Sequence, residues 1–281
     1  MKGFILSEKQ IDEFAGYLKR EEKSKNTIEK YIRDVRALAA YINGQAITKE
    51  LVIAYKNKLI CENYAIRSIN SMLASLNSLF AFLGREDVKV KSIRLQQQIY
   101  CPEEKELTKE EYLRLLQTAR QKGNERLDLL IQTICGTGIR VSELQYITVE
   151  SVKKGEVVVS LKGKTRTIFI VRKLQKKLLC YAAEQKITSG PIFITRTGKP
   201  MSRTNIWREM KNLCEQAGVD PQKVFPHNLR HLFARTFYSI EKDIAKLADI
   251  LGHSSISTTR IYIISTGEEH RRRMEKMNLI I

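Results

Sequence analysis

Four short segments of this chain carry residue types suited to chemistry on a phosphate ester: GTGIRVSEL at 136–144, LKGKTR at 161–166, HNLRH at 227–231 and LGHSSISTTRIY at 251–262. Arginine forks onto phosphate oxygens bidentately and stays protonated. Histidine and lysine exchange protons with a reacting group when they are held beside it. A tyrosine phenol becomes an oxygen nucleophile once it gives up a proton that ordinarily leaves near pH 10. Each segment alone is weak evidence. His-x-x-Arg arises readily by chance in a chain this rich in arginine, and a lone arginine is usually a solvated surface charge. Alone, His227 and His253 read as satisfied histidines at helix starts, and Tyr262 as a core aromatic.

Composition narrows the setting. The chain has 281 residues, enough for two domains, and 43% of them are hydrophobic, enough for packed cores. Its formal net charge of +18 favours a polyanionic partner, either nucleic acid or an acidic membrane surface. The membrane reading weakens because no apolar run reaches the roughly 18 residues of a spanning helix. The apolar stretch in MKGFILSEKQ is also too short for a signal peptide. A cytoplasmic protein is expected. Cys61, Cys101, Cys135, Cys180 and Cys214 are scattered without a CxxC or Cys/His cluster, so neither a structural zinc nor a disulfide framework is suggested.

Taken together and in this order, the four segments resemble the catalytic domain of the tyrosine recombinase (phage integrase) family. That domain carries Arg, Lys, His-x-x-Arg, His and Tyr in sequence, and the matching positions here are Arg140, Lys162, His227, Arg230, His253 and Tyr262. The spacings from Arg230 to His253 and from His253 to Tyr262 are similar to those of the Xer-type members. The resemblance covers about 108–265 closely. Residues 7–84 resemble the family's helical core-binding domain more loosely, by length and helix count. It implies transesterification of DNA with Tyr262 as nucleophile, giving a 3′-phosphotyrosyl ester that conserves the bond energy, with no metal, ATP or other cofactor. Arg140 and Arg230 would neutralise the phosphate, His227 would act as base or orient Tyr262, and His253 would donate a hydrogen bond to the phosphate. Lys162 would protonate the leaving 5′-oxygen. Glu143 and His231 also match family positions, the first as a partner of the arginine and the second as support behind the site.

Two departures from the family pattern stand out. Lys162-Gly163-Lys164 is one residue shorter than the common hairpin, which makes Lys164 a competitor for the acid role. Ile263-Ile264 follow Tyr262 where many relatives carry polar residues.

The elements that must position these residues read as mostly α with a small β-sheet, an α+β fold in two domains. Residues 1–85 read as four helices: one opened by a Ser7/Gln10 capping box and running to about Arg20, one over Ile28–Ile42, one capped by Thr48, and one from about Ala65 that stops at Gly84. Lys19, Arg20, Lys23, Lys25, Lys30, Arg33 and Arg36 on their polar faces are candidate phosphate contacts. Residues 86–107 lack a helical period and read as a linker. A second domain over 108–281 opens with a Thr108/Glu111 capping box, is helical to about Cys135 and turns at Gly136-Thr137-Gly138. It then forms two strands, VVVSL and TRTIFIV, joined by Lys162-Gly163-Lys164. Helices follow, with a short apolar PIFIT segment between them.

The resemblance implies duplex DNA with paired half-sites as partner, a homo-oligomer that is tetrameric in the synapse, no membrane, and a cytoplasmic, nucleoid-associated location. Alternatives are a type IB topoisomerase, a non-catalytic DNA-binding relative, or a helix-turn-helix regulator. The last gives no reason for the His/Arg/Tyr order, and a decayed relative would have lost Tyr262 or an arginine. The tail 267–277 has helical character, with acidic residues early and basic ones late. It ends in apolar Leu279-Ile280-Ile281, and the resemblance implies that it reaches a neighbouring protomer.

Overall fold

The computed structural model describes residues 4–94, 106–161, 164–262, 271 and 274–277. The chain divides into two compact units, 1–97 and 98–281.

The first unit is built from helices α1 (Glu8–Arg20), α2 (Lys25–Ile42), α3 (Lys49–Cys61) and α4 (Ile66–Phe82). Ser7 and Gln10 close the expected capping box, and Ser24 and Thr48 cap α2 and α3 through their hydroxyls. Phe14, Leu18, Val35, Leu38, Leu73 and Leu76 meet in the core at full burial. One candidate phosphate contact turns inward. Lys30 pairs with buried Asp34 at 2.7 Å and donates to the Ser71 carbonyl and the Ser75 hydroxyl, locking α2 to α4. Lys30 therefore serves the fold, because an ammonium with these partners has none to spare for DNA.

The expected linker begins later than the sequence suggested. A short 3-10 turn spans Glu86–Val88, and Val88 and Val90 are buried on the helical core. Asn77 on α4 both donates to the Val90 carbonyl and accepts from its N–H, and Asn70 does the same for Ile93. Two asparagine amides thus stand in for a neighbouring strand, so an extended segment with no period of its own belongs to the first unit.

In the second unit the run expected to be one helix is two, α5 (Lys109–Gln121) and α6 (Glu125–Thr137). Gly123, at φ +65°, breaks it, and Asn124 caps α6 by accepting from the Leu127 N–H. A 3-10 helix over Val141–Tyr146 and a short α7 (Val149–Lys154) lead into the hairpin β1 (Glu156–Leu161) and β2 (Lys164–Phe169). The strands are antiparallel, with Val159 opposite Arg166 and Leu161 opposite Lys164. Val157, Val159 and Ile168 point into the core while Val158 faces out, the alternation of a half-buried sheet. Next come α8 (Arg172–Glu184) and α9 (Arg203–Ala217); between them the PIFIT segment buries Ile192 and Phe193 and forms isolated bridges at Pro191 and Ile194 in place of a strand. The unit ends in α10 (Pro226–Glu241), α11 (Ile244–Leu251) and α12 (Ile256–Arg260). Among the described residues no helix is long and apolar enough to cross a membrane.

Candidate active site

Arg140 is presented by the end of α6. Thr133 and Thr137 return their hydroxyls to carbonyls one turn back, and Gly138 closes the helix at φ +64°. No larger residue fits there, since a Cβ on Gly138 would lie 2.5 Å from the Phe233 ring. Arg140 then caps the 3-10 helix. The Glu143 carboxylate accepts from the Arg140 backbone N–H at 2.9 Å and from its guanidinium at 2.9 Å. Glu143 is 1% exposed. Burial pushes its carboxyl up, but the Arg140 N–H, the charge of Arg166 and the side-chain hydrogen bonds from both arginines outweigh that and hold it below the usual range.

Helix α10 supplies the next group. Pro226 starts it, and His227, Arg230 and His231 fall one turn apart on one face. Arg230 is 2% exposed, donates to the carbonyl of Gly138, and donates to the carbonyl of Leu251 at 2.7 Å. Burial, with the charge of Arg140, lowers its pKa to about 10, so it remains a cation at neutral pH.

Helix α11 is capped at its start by Asp243 and ends on Gly252 at φ +63°. His253 follows. It lies 3.1 Å from the Arg230 guanidinium through Nε2 and 2.9 Å from the Thr259 hydroxyl through Nδ1. Tyr262 lies just past α12, where its N–H donates to the Thr259 carbonyl at 3.0 Å, and it is 5% exposed. Three imidazoles surround its ring: His231 at 4.3 Å between centroids, His253 stacked at 5.4 Å, and His227 edge-on at 5.7 Å. Burial and the nearby arginines depress all three. His231 falls to about 4, with His227 also adding to the shift, and His253 falls to about 4. His227 is lowered by burial, then by Arg230, Arg140 and Arg203. Neutral imidazoles at pH 7 are proton acceptors.

Arg140, His227, Arg230 and Tyr262 line one cleft of about 470 Å³, together with Arg203 and Trp207 of α9. His253 joins them through Arg230 and the Tyr262 ring. Lys162 and the pair Ile263-Ile264 lie outside the described residues, as does most of the tail; Lys164 is placed by its backbone at the start of β2. The sequence reading missed two participants. Thr259 is fully buried behind His253, and Arg166 reaches the site from β2, donating to the Ile250 carbonyl at 2.7 Å and to Glu143. A cluster of guanidiniums that the one Glu143 carboxylate only partly neutralises, beside a phenol and imidazoles, suits an incoming phosphodiester. Among the described residues no group of three His, Cys, Asp or Glu gathers as a metal site would need.

Comparison with known proteins agrees with this geometry. The family described as "Phage integrase family" matches residues 105–269, and "Phage integrase, N-terminal SAM-like domain" matches 11–87. Tyrosine recombinase XerA of Pyrococcus furiosus is 32% identical over 100% of this chain and 98% of its own length. Tyrosine recombinase XerD of Halalkalibacterium halodurans is 29% identical over 85% of this chain and 87% of its own. A lambda integrase tetramer bound to a Holliday junction has the same fold, with a TM-score of 0.75 at 18% identity over 93% of this chain and 78% of that one. The chain belongs to the phage integrase family, as a tyrosine recombinase with the two-domain architecture of the Xer proteins.

Proposed function

We propose that this protein cuts and rejoins duplex DNA at paired half-sites, with Tyr262 as the nucleophile. Its oxygen attacks the scissile phosphorus and forms a 3′-phosphotyrosyl bond while the bond to the 5′-oxygen breaks. The phenolic proton passes to His227, which is neutral at pH 7 because burial and three arginines disfavour its cation. Arg140 and Arg230 bind the non-bridging oxygens and stabilise the charge that grows there, an effect worth several kcal/mol in comparable sites. His253 lies behind Arg230 and contributes to the same phosphate-binding face. The leaving 5′-oxygen takes its proton from Lys162, with Lys164 as the competitor. The reaction consumes no cofactor, since the phosphotyrosyl ester is attacked in turn by the 5′-hydroxyl of another strand.

Residues 1–97 act on this reading as the core-binding domain, and the second unit as the catalytic domain. The protein works as a homo-oligomer, tetrameric when two sites are paired, in the cytoplasm and on the nucleoid. The observation that carries the reading is the placement of two arginines, His227 and Tyr262 around one cleft, with His253 packed on the phenol. A DNA duplex nicked so that the cleaved strand diffuses away tests it. The wild type should form a covalent protein–DNA adduct in excess EDTA, and Tyr262→Phe should bind the same DNA and form none. An adduct with the Phe variant would exclude Tyr262 as nucleophile.

A further inference from the structure

Three arginines from distant parts of the second unit end on three consecutive carbonyls. Arg166 donates to Ile250 at 2.7 Å, Arg230 to Leu251 at 2.7 Å and Arg140 to Gly252 at 3.2 Å. These are the last carbonyls of α11, which have no partner within the helix and carry the negative end of its dipole. Arg140 and Arg230 line the cleft, and Arg166 does not. Its side chain is 11% exposed, and burial together with the charge of Arg140 lowers its pKa. The charge and hydrogen bond of Glu143 offset part of that burial cost, so the pair holds a third guanidinium in a sheltered place behind the cleft.

We propose that Arg166 is a positioning residue for the reaction, holding Glu143 so that Arg140 is presented to the phosphate. The two Glu143 oxygens have different tasks. Oε1 accepts from the Arg140 guanidinium, while Oε2 accepts from the Arg140 backbone N–H and from Arg166. With Arg166 present, the carboxylate is shared between two guanidiniums and neutralises neither fully. Without it, Oε2 keeps only the Arg140 backbone N–H, and the carboxylate charge acts on the Arg140 guanidinium alone and draws it away from the phosphate. The backbone is shaped to admit Arg166: a Cβ on Gly252 would lie 2.3 Å from Arg166 Cδ, and Gly252 is held at φ +63°. The charge count fits the reaction. Three guanidiniums against the Glu143 carboxylate leave two positive charges, which matches the two anionic oxygens of a pentacoordinate phosphorus.

This inference rests on the recombinase reading, and the experiment separates the two. Single-turnover strand cleavage is measured on a suicide duplex with an ordinary scissile phosphodiester, and on one whose non-bridging oxygen is replaced by methyl, which removes the negative charge. Arg166→Met should slow cleavage of the phosphodiester roughly 10–100-fold, as loss of an orienting partner does elsewhere, and slow the uncharged substrate far less. Arg140→Ala should show the same selective rescue, and Arg166→Lys, which reaches one of the two partners, should fall between. Should Arg166→Met not fold, Arg166→Lys and Arg166→Gln carry the comparison. Equal slowing on both substrates, or none on either, overturns the role of Arg166. Wild-type protein that cleaves neither substrate overturns the recombinase reading itself, and this inference with it.

Discussion

The Arg230 guanidinium donates to Nε2 of His253 at 3.1 Å, and this contact fixes the tautomer of the imidazole. A guanidinium has donors only, so Nε2 accepts, and the ring proton resides on Nδ1 and is given to the Thr259 hydroxyl at 2.9 Å. His253 is therefore neutral with its lone pair turned to Arg230. It orients that arginine, and Nε2 can donate to a phosphate only once it has gained a proton, by protonation of the ring or a change of tautomer.

The buried hydroxyl behind His253 gives the first prediction. Thr259→Val keeps the shape and removes the acceptor for Nδ1–H. An unsatisfied buried donor costs about 1–3 kcal/mol. The melting temperature should fall by several degrees and cleavage should slow about 10-fold, with DNA affinity little changed. Unaltered cleavage in Thr259→Val would show that the Nδ1 contact is idle.

The depressed histidines predict an acid-sensitive fold. His231 and His253 titrate at about 4 in the folded protein against an ordinary value of 6.5. Between these values the unfolded chain binds protons that the folded one refuses, so stability is complete above pH 6.5 and declines as pH falls toward 4. Thermal melts at pH 7, 6, 5 and 4 follow the decline, and His231→Gln should flatten it. A His231→Gln slope as steep as the wild type's would assign the acid sensitivity elsewhere.

Sulfur at the 5′-bridging position separates the two lysines. A good leaving group needs no proton, so a variant lacking the general acid recovers on that substrate. Lys162→Ala should be slow on ordinary DNA and recover with sulfur, while Lys164→Ala should not depend on the leaving group. The reverse pattern would move the acid to Lys164.

Removal of residues 267–281 tests the tail. If this segment bridges protomers, single half-site binding stays nearly unchanged, while cooperative binding to paired half-sites and strand exchange weaken. Gel-shift titrations on one and two half-sites give the comparison. Equal loss on both would make the tail part of its own domain.

The site was largely legible in the sequence because its chemistry is written in residue types that few other roles require in that order. Arg140, His227, Arg230, His253 and Tyr262, from three of the four segments, converge; Lys162 of the fourth lies outside the described residues. Arg166 stood within one of those segments without a signal, since an arginine in a strand of a basic chain is ordinary. Its importance depends on the hairpin register opposite Val159 and on the approach of α11 from 84 residues away. Thr259 was likewise one of two adjacent threonines until His253 folded over it. The helices of the first unit were legible from caps and periodicity. The attachment of 86–94 was not, because it depends on side-chain amides of Asn70 and Asn77 and leaves no pattern in the segment itself. The break at Gly123 did leave a signal, since 120–126 (RQKGNER) hold no apolar residue and Asn124 is a capping type, but the apolar runs on either side read together as one helix.

The seating of three arginines on the end of α11 also decides when their freedom is lost. An arginine side chain has about 2 kcal/mol of rotamer entropy. Carbonyls and Glu143 restrict Arg140, Arg166 and Arg230 as the second unit folds, well before any ligand arrives. A phosphate entering the cleft therefore meets heads that need little further ordering, so less of the gain from its charge-assisted bonds is lost to side-chain entropy. The fold bears the opposite consequence, because like charges are crowded together in a place sheltered from water. An anion in the cleft relieves that crowding, so the second unit is most stable when holding the kind of group it acts upon.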